Sequence, residues 1–287
     1  MMPKINNERL LIKLYQHKHN LKHPFERELA GIESFEEWEY RFSQKAWSVF
    51  EDFLPLNELF EGKRILDVGC GGGGKSLALL KYHPRELIGI DMDPYFIDKA
   101  KQYARQFEGK ASFICADASQ APLEDASLDV LTLLDAFEHV SQPEKILAEA
   151  HRVLKPGGRV LISFPPYYHP QGAHVSDLIP FPWVHLFFTE EALSKAYIHL
   201  SYLRKDGEKR RKLKFTQTGK LFKMDYINHM TVKKAEAILK KVDFQLKYFK
   251  LIPLRKIVAP LVKLKCTREF FIHTVAIVLE KDKGDLQ

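Results

Sequence analysis

The stretch Ile65-Leu66-Asp67-Val68-Gly69-Cys70-Gly71-Gly72-Gly73-Gly74-Lys75-Ser76 decides how this chain folds. A short apolar run ends in glycines, and a helical pattern begins at Ser76. Glycine lets a backbone turn tightly and lets a ligand approach it closely. The start of a helix offers free N–H groups and the positive end of a dipole. Two spacings coexist here. Gly69, Gly71 and Gly74 satisfy G-x-G-x-x-G, while Asp67, Gly69, Gly71 and Gly73 satisfy D-x-G-x-G-x-G. The glycines alone do not choose between them.

Outward from this loop, strands and helices alternate. Glu86 to Asp91, Ala111 to Ala116, Leu128 to Leu134 and Arg159 to Phe164 read as further strands. Ser76 to Tyr82, Pro94 to Phe107 and Pro143 to Leu154 read as helices, with Pro94 suited to a first turn. Pro156-Gly157-Gly158 reads as a turn. Repeated βα units predict an α/β fold with a parallel sheet and helices on both faces. Ahead of the glycine loop, Phe35, Trp38 and Phe42 recur at helical spacing, which predicts an amphipathic helix covering the core, with a lid role open to it. Residues 165–230 break the alternation and are rich in Pro, His, aromatic and basic residues. That is too long for an ordinary connection, so an inserted cap is expected. Thr231 to Lys241 then reads as a helix capped by Thr231, and 244–251 and 270–280 as the last strands.

Four later segments carry a family likeness. They are Cys115-Ala116-Asp117-Ala118, Leu123 to Val130, Asp135-Ala136-Phe137-Glu138-His139-Val140, and Arg152 to Ser163 with its Lys155-Pro156-Gly157-Gly158. In that order, with the glycine loop before them, they resemble the successive motifs of class I S-adenosylmethionine-dependent methyltransferases of the broad small-molecule type. The likeness covers about residues 60–165. It implies a Rossmann-like fold with a seven-stranded, mostly parallel sheet of order 3-2-1-4-5-7-6, the seventh strand antiparallel, plus the inserted cap. The expected division is a helical N-terminal segment over 1–58, a cofactor-binding core over 59–165, a cap over 166–230, and the end of the sheet over 231–287.

The resemblance also implies site residues. Asp67, Gly69, Cys70, Gly71 and Gly73 would cradle the methionine and ribose region of S-adenosylmethionine, with S-adenosylhomocysteine as product. Asp91 would hold the ribose hydroxyls, a device that dinucleotide sites share. Met92 would pack on the adenine, Asp117 and Ala118 would meet its edge, and Asp135 would lie near the methionyl end. Asp67, with the later motifs, disfavours the rival of a nicotinamide-dependent oxidoreductase. A carboxylate there suits a protonated amine and would repel a pyrophosphate. Phe164-Pro165-Pro166-Tyr167 follows the fifth strand, not the fourth, so it is not read as a nitrogen-acceptor clamp.

Methyl transfer from a sulfonium is mostly positioning and desolvation. A base is needed only where the acceptor loses a proton, and histidine suits neutral pH. His174, then His139 and His185, are the candidates. A metal set from His174, Asp177 and His185 matches no established ligand spacing, so no metal ion is expected. Tyr167, Tyr168, Phe181, Trp183, Phe187 and Phe188 are dense enough to line an apolar acceptor pocket.

Composition bounds the rest. The chain has 287 residues, 45% of them hydrophobic and 28% charged, ordinary values for a globular protein. Cys70, Cys115 and Cys266 are far apart and show no CxxC spacing, which speaks against a disulfide framework or a zinc site. No apolar run approaches the ~20 residues of a membrane span. Leu10-Leu11-Ile12 is too short for a signal core. A cytoplasmic protein, with peripheral membrane contact as an option, is expected. Acidic residues outnumber basic ones before residue 200, and the net charge of +7 comes from the last third. Residues 204–214, Arg-Lys-Asp-Gly-Glu-Lys-Arg-Arg-Lys-Leu-Lys, fit an anionic membrane surface, a solvated loop or, less well, nucleic acid. The expected function is methyl transfer to a small-molecule or lipid-linked acceptor, oxygen favoured. An RNA methyltransferase and a non-catalytic S-adenosylmethionine-binding protein stand as alternatives.

Overall fold

The computed structural model describes residues 3–17, 32, 34–107, 109–204, 207–218, 221–265 and 267–283. It opens with α1 (Glu8–His17) and α2 (Phe35–Glu51). The core follows as β1 (Arg64–Val68), α3 (Gly74–Leu77, continued by a 3-10 turn), β2 (Glu86–Asp91), α4 (Pro94–Ala104), β3 (Ala111–Cys115), β4 (Leu128–Leu134), α5 (Pro143–Val153) and β5 (Leu154–Phe164). Beyond it lie α6 (Glu190–Ser201), α7 (Gly207–Lys214), a hairpin of β6 (Thr216–Thr218) and β7 (Leu221–Lys223), α8 (Val232–Leu239), β8 (Gln245–Pro253) and β9 (Ile272–Glu280).

Seven strands make one sheet in the order β3-β2-β1-β4-β5-β9-β8. Strands β1 to β5 are parallel, and β9 runs antiparallel to both β5 and β8. This is the Rossmann-like order that the motifs imply. β1 is a nearly continuous apolar run because helices cover both of its faces. Alternate residues divide between two cores: Leu66 and Val68 pack with Ile146 and Leu147 of α5 and Val232 and Ala235 of α8, whereas Ile65 packs with Trp47 and Phe50 of α2. Helix ends follow their caps. Asp93 accepts a hydrogen bond from the Tyr95 N–H before Pro94, and Thr231 accepts one from the Lys234 N–H, as expected of it.

Three local outcomes differ from the pattern. Pro156-Gly157-Gly158 does not end an element but lies within β5. Gly157 (φ 77°) donates to the Lys281 carbonyl, and Lys281 donates back to Gly158, so the segment is held at the start of β5 as an irregularity. The apolar face of α2 that reaches the core is Trp47 and Phe50, not Phe35, Trp38 and Phe42. Finally, α1 packs away from α2. Its Leu11 joins a separate cluster with Val175, Leu178, Leu193, Tyr197 and Phe215 from the region after β5.

Candidate active site

The order of strands reverses between β1 and β4, and such a point opens a crevice at the strands' C-terminal ends. The glycine loop leaves β1 on one side of it, and Asp135 to Val140 leave β4 on the other. Asp67 sits beneath the crevice. Its carboxylate accepts hydrogen bonds from Ser76 Oγ and, at 2.6 Å, from Thr132 Oγ1, and the side chain is enclosed. Both oxygens are thus engaged in tying the loop to α3 and β4.

Gly71 has φ 51°, and a Cβ there would meet nothing within 4 Å, so the loop presents open space at this residue. Its N–H donates to Asp91 Oδ2 at 3.0 Å, while Oδ1 of Asp91 accepts from the Asp93 N–H at 2.9 Å. Each carboxylate oxygen retains lone pairs for hydroxyl donors beside that space. Burial raises the Asp91 carboxyl above its ordinary range, against the pull of those N–H groups. Met92 is exposed alongside, and Asp117 accepts from the Ser119 N–H, which fixes the turn carrying Ala118. Cys70 contributes backbone only, since its side chain is buried with Phe113. Gly74 has another purpose. A Cβ there would lie 2.3 Å from the Glu36 carbonyl, so this glycine lets α2 rest on the loop.

Beneath α2 lies a cavity of about 340 Å³, lined among others by Phe35, Trp38, Phe42, Glu39, Lys75 and Asp135. The three aromatics of the helical pattern therefore wall a cavity. Lys75 Nζ pairs with Asp135 at 2.8 Å. Burial opposes the Lys75 charge, but Asp135 and Glu39 outweigh it and hold its pKa above the ordinary value. Burial pushes the Glu39 carboxyl up to about 7, against the pull of Lys75. The open loop at Gly71, the Asp91 carboxylate and a cation–anion pair at the cavity fit a nucleoside with a zwitterionic amino-acid tail.

On the β4 side, the structure brings His139 and His174 together and leaves His185 apart. Their rings lie 4.9 Å from each other, and His185 stands against Tyr167 instead. Between the first two is Glu138, a residue that sequence reasoning passed over. The residue is 3% exposed, and neither carboxylate oxygen has a hydrogen-bond partner. Oε1 of Glu138 lies 3.8 Å from Nε2 of His139 and 3.9 Å from Nε2 of His174. Burial, and then Asp135, push the Glu138 carboxyl well above its ordinary pKa. Burial likewise lowers both imidazoles below their ordinary value. The loop is held from the region after β5. Nδ1 of His139 lies 2.8 Å from the Tyr226 carbonyl, and the Asn228 amide donates to the carbonyls of Phe137 and Val140.

Asp177 does not join His174 and His185. It accepts from Tyr197, Arg210 and Lys214. That pairing also draws part of the basic stretch 204–214 away from the surface. Arg210 and Lys214 turn inward to Asp177, and Arg211 donates to Ser201 Oγ and stacks on Tyr202. Lys205 lies outside the described residues.

Comparison with known proteins agrees with this geometry. Residues 66–162 match a family profile described as "Methyltransferase domain". The ubiquinone biosynthesis O-methyltransferase of Coxiella burnetii is 36% identical over 111 residues, 39% of this chain and 47% of that protein. The sterol 24-C-methyltransferase of Debaryomyces hansenii is 33% identical over 118 residues, 40% of this chain and 31% of that one. The chain thus spans about half, or less, of the length of these relatives. The crystal structure of an S-adenosylmethionine dependent methyltransferase from Mesorhizobium loti superposes with TM-score 0.52 at 16% identity, over 82% of this chain and 97% of that one, and shares the fold. No described helix is long and apolar enough to cross a membrane. By its sheet order and its matched core, the chain carries a methyltransferase domain over residues 66–162, in a Rossmann-like fold shared with S-adenosylmethionine-dependent methyltransferases of solved structure.

Proposed function

We propose that the protein transfers a methyl group from S-adenosylmethionine to an oxygen of a small-molecule or lipid-linked acceptor. The cofactor, when bound, supplies an electrophilic methyl group on a sulfonium. Asp91 would hold the ribose hydroxyls, Met92 and Asp117 would flank the adenine, and Lys75 and Asp135 would answer the carboxylate and ammonium of the amino-acid end. The observation that carries the choice of oxygen is the group of His139 and His174 around Glu138. Two imidazoles beside a buried carboxyl bring their lone pairs to where a hydroxyl acceptor would lose its proton, and His139 lies on the loop that bears Asp135. The O-methyltransferase relative supports the same choice. A lipid-linked acceptor gains support from residues 254–265, where Ile257 is 84% exposed between Arg255, Lys256 and Lys263.

The test is incubation of the full chain with S-adenosylmethionine and a panel of phenols, catechols, prenyl-tailed phenols, alcohols and amines. S-adenosylhomocysteine and methylated products are read by mass spectrometry. A methyl ether from one acceptor class is the expected result. Methyl on carbon or nitrogen would overturn the oxygen assignment, and tight cofactor binding with no turnover on any acceptor would favour a binding protein.

A further inference from the structure

We propose that Glu138, His139 and His174 bind a divalent transition-metal ion, Zn²⁺ or a close relative. The inference extends the proposed function and rests on it only for the metal's use, not for its binding. Among the described residues these three offer ligand atoms that all lie within 4.8 Å of one another. In a tetrahedral zinc site, with bonds of about 2.0–2.1 Å, ligand atoms sit roughly 3.4 Å apart. The separations of 3.8 Å and 3.9 Å therefore close with movements of about half an ångström.

Three further observations point to a cation. First, both Glu138 oxygens are buried without a partner, which no protein group corrects. Second, Nδ1 of His139 faces a carbonyl, which only accepts, so Nδ1 carries the proton and Nε2 turns a bare lone pair toward Glu138. A backbone carbonyl orienting a ligand histidine in this way is a recurrent outer-shell device of metal sites. Third, the neighbouring cations have other anions: Lys214 is with Asp177 and Lys75 with Asp135. Two nitrogens and one oxygen suit Zn²⁺, Co²⁺ or Fe²⁺ better than Mg²⁺. Three protein ligands leave a position open. There the ion would take the acceptor's hydroxyl oxygen and weaken its hold on its proton, which leaves to water as the oxygen attacks the methyl carbon.

The test is titration of chelator-stripped full-length protein with Co²⁺, read by its visible absorption, then competition with Zn²⁺ and, as a control, Mg²⁺. Expected are one ion per chain with the intense bands of a low-coordinate site, displacement by Zn²⁺, and no displacement by Mg²⁺. His174 has φ 53°, which Asn also tolerates, so His174→Asn keeps the fold. It should weaken Co²⁺ about 100-fold, as should Glu138→Gln, with S-adenosylmethionine binding by calorimetry unchanged. No stoichiometric uptake, or uptake indifferent to His174→Asn, would overturn the site. Uptake without any oxygen acceptor would leave the site standing and refute the functional reading instead.

Discussion

Two glycines three residues apart should fail in opposite ways when changed to alanine. At Gly74 the new Cβ would lie 2.3 Å from the Glu36 carbonyl, 2.6 Å from Glu39 Cβ and 3.0 Å from the Tyr40 nitrogen. Ordinary contact needs about a further ångström, and two of the three obstacles are helix backbone, which does not swing aside. The whole of α2 must retreat, and overpacking of this kind costs about 1–3 kcal/mol. At Gly71 the new Cβ meets open space, and the penalty is the positive φ alone. That costs about 1–2 kcal/mol, partly offset by roughly 0.4–1 kcal/mol from a stiffer unfolded chain. The methyl group would, however, stand where the nucleoside is expected. The assay is urea unfolding of both variants together with calorimetry of S-adenosylmethionine. Gly74→Ala should lose the most stability. Gly71→Ala should keep most of its stability and bind cofactor at least about tenfold more weakly, a loss of ~1.4 kcal/mol. Gly71→Ala with wild-type affinity would refute the placement of the cofactor, and a fully stable Gly74→Ala would refute the seating of α2.

Asp91→Asn should weaken cofactor binding, and in the wild type the affinity should fall with pH from above the ordinary aspartate range, because burial raises that carboxyl; calorimetry across pH 4–8 checks both. Burial holds the folded pKa of Glu39 at about 7, against an ordinary value of 4.5. The stability it contributes is complete below the unfolded pKa and is lost as pH rises through about 7, so Glu39→Gln should flatten the decline of the urea midpoint between those limits. Thr132→Val removes one of the two hydroxyls on the enclosed Asp67 and should cost about 1–3 kcal/mol in the same measurement, whereas Ser119→Ala, on the surface, should cost little.

The sheet was readable because its strands are buried on both faces and so are written as apolar runs between glycines and prolines. Asp91 was readable because it ends such a run. Burial and partners were not. Asp67 looks like a ligand residue by its spacing, yet its hydroxyl partners Ser76 and Thr132 come from α3 and β4, and nothing local announces that convergence. Gly74 looks like part of a ligand cradle, but a helix that starts some forty residues earlier is what lies against it. Glu138 reads as an ordinary surface acid beside His139. Only the arrival of His174 and of Tyr226 to Asn228 from beyond β5 shows it as a buried carboxyl without a partner. In the basic run near 210 charge counts carry no direction, and Asp177 draws two of those side chains inward.

Helix α2 roofs the cavity that holds Lys75 and Asp135, and it rests there backbone to backbone at Gly74. A roof of that kind cannot open side chain by side chain. A ligand seated under it would have to wait on the helix as a whole, so loosening the far end of the roof, where Trp47 and Phe50 are anchored, is expected to change how fast a spent cofactor leaves more than how tightly the crevice floor holds it.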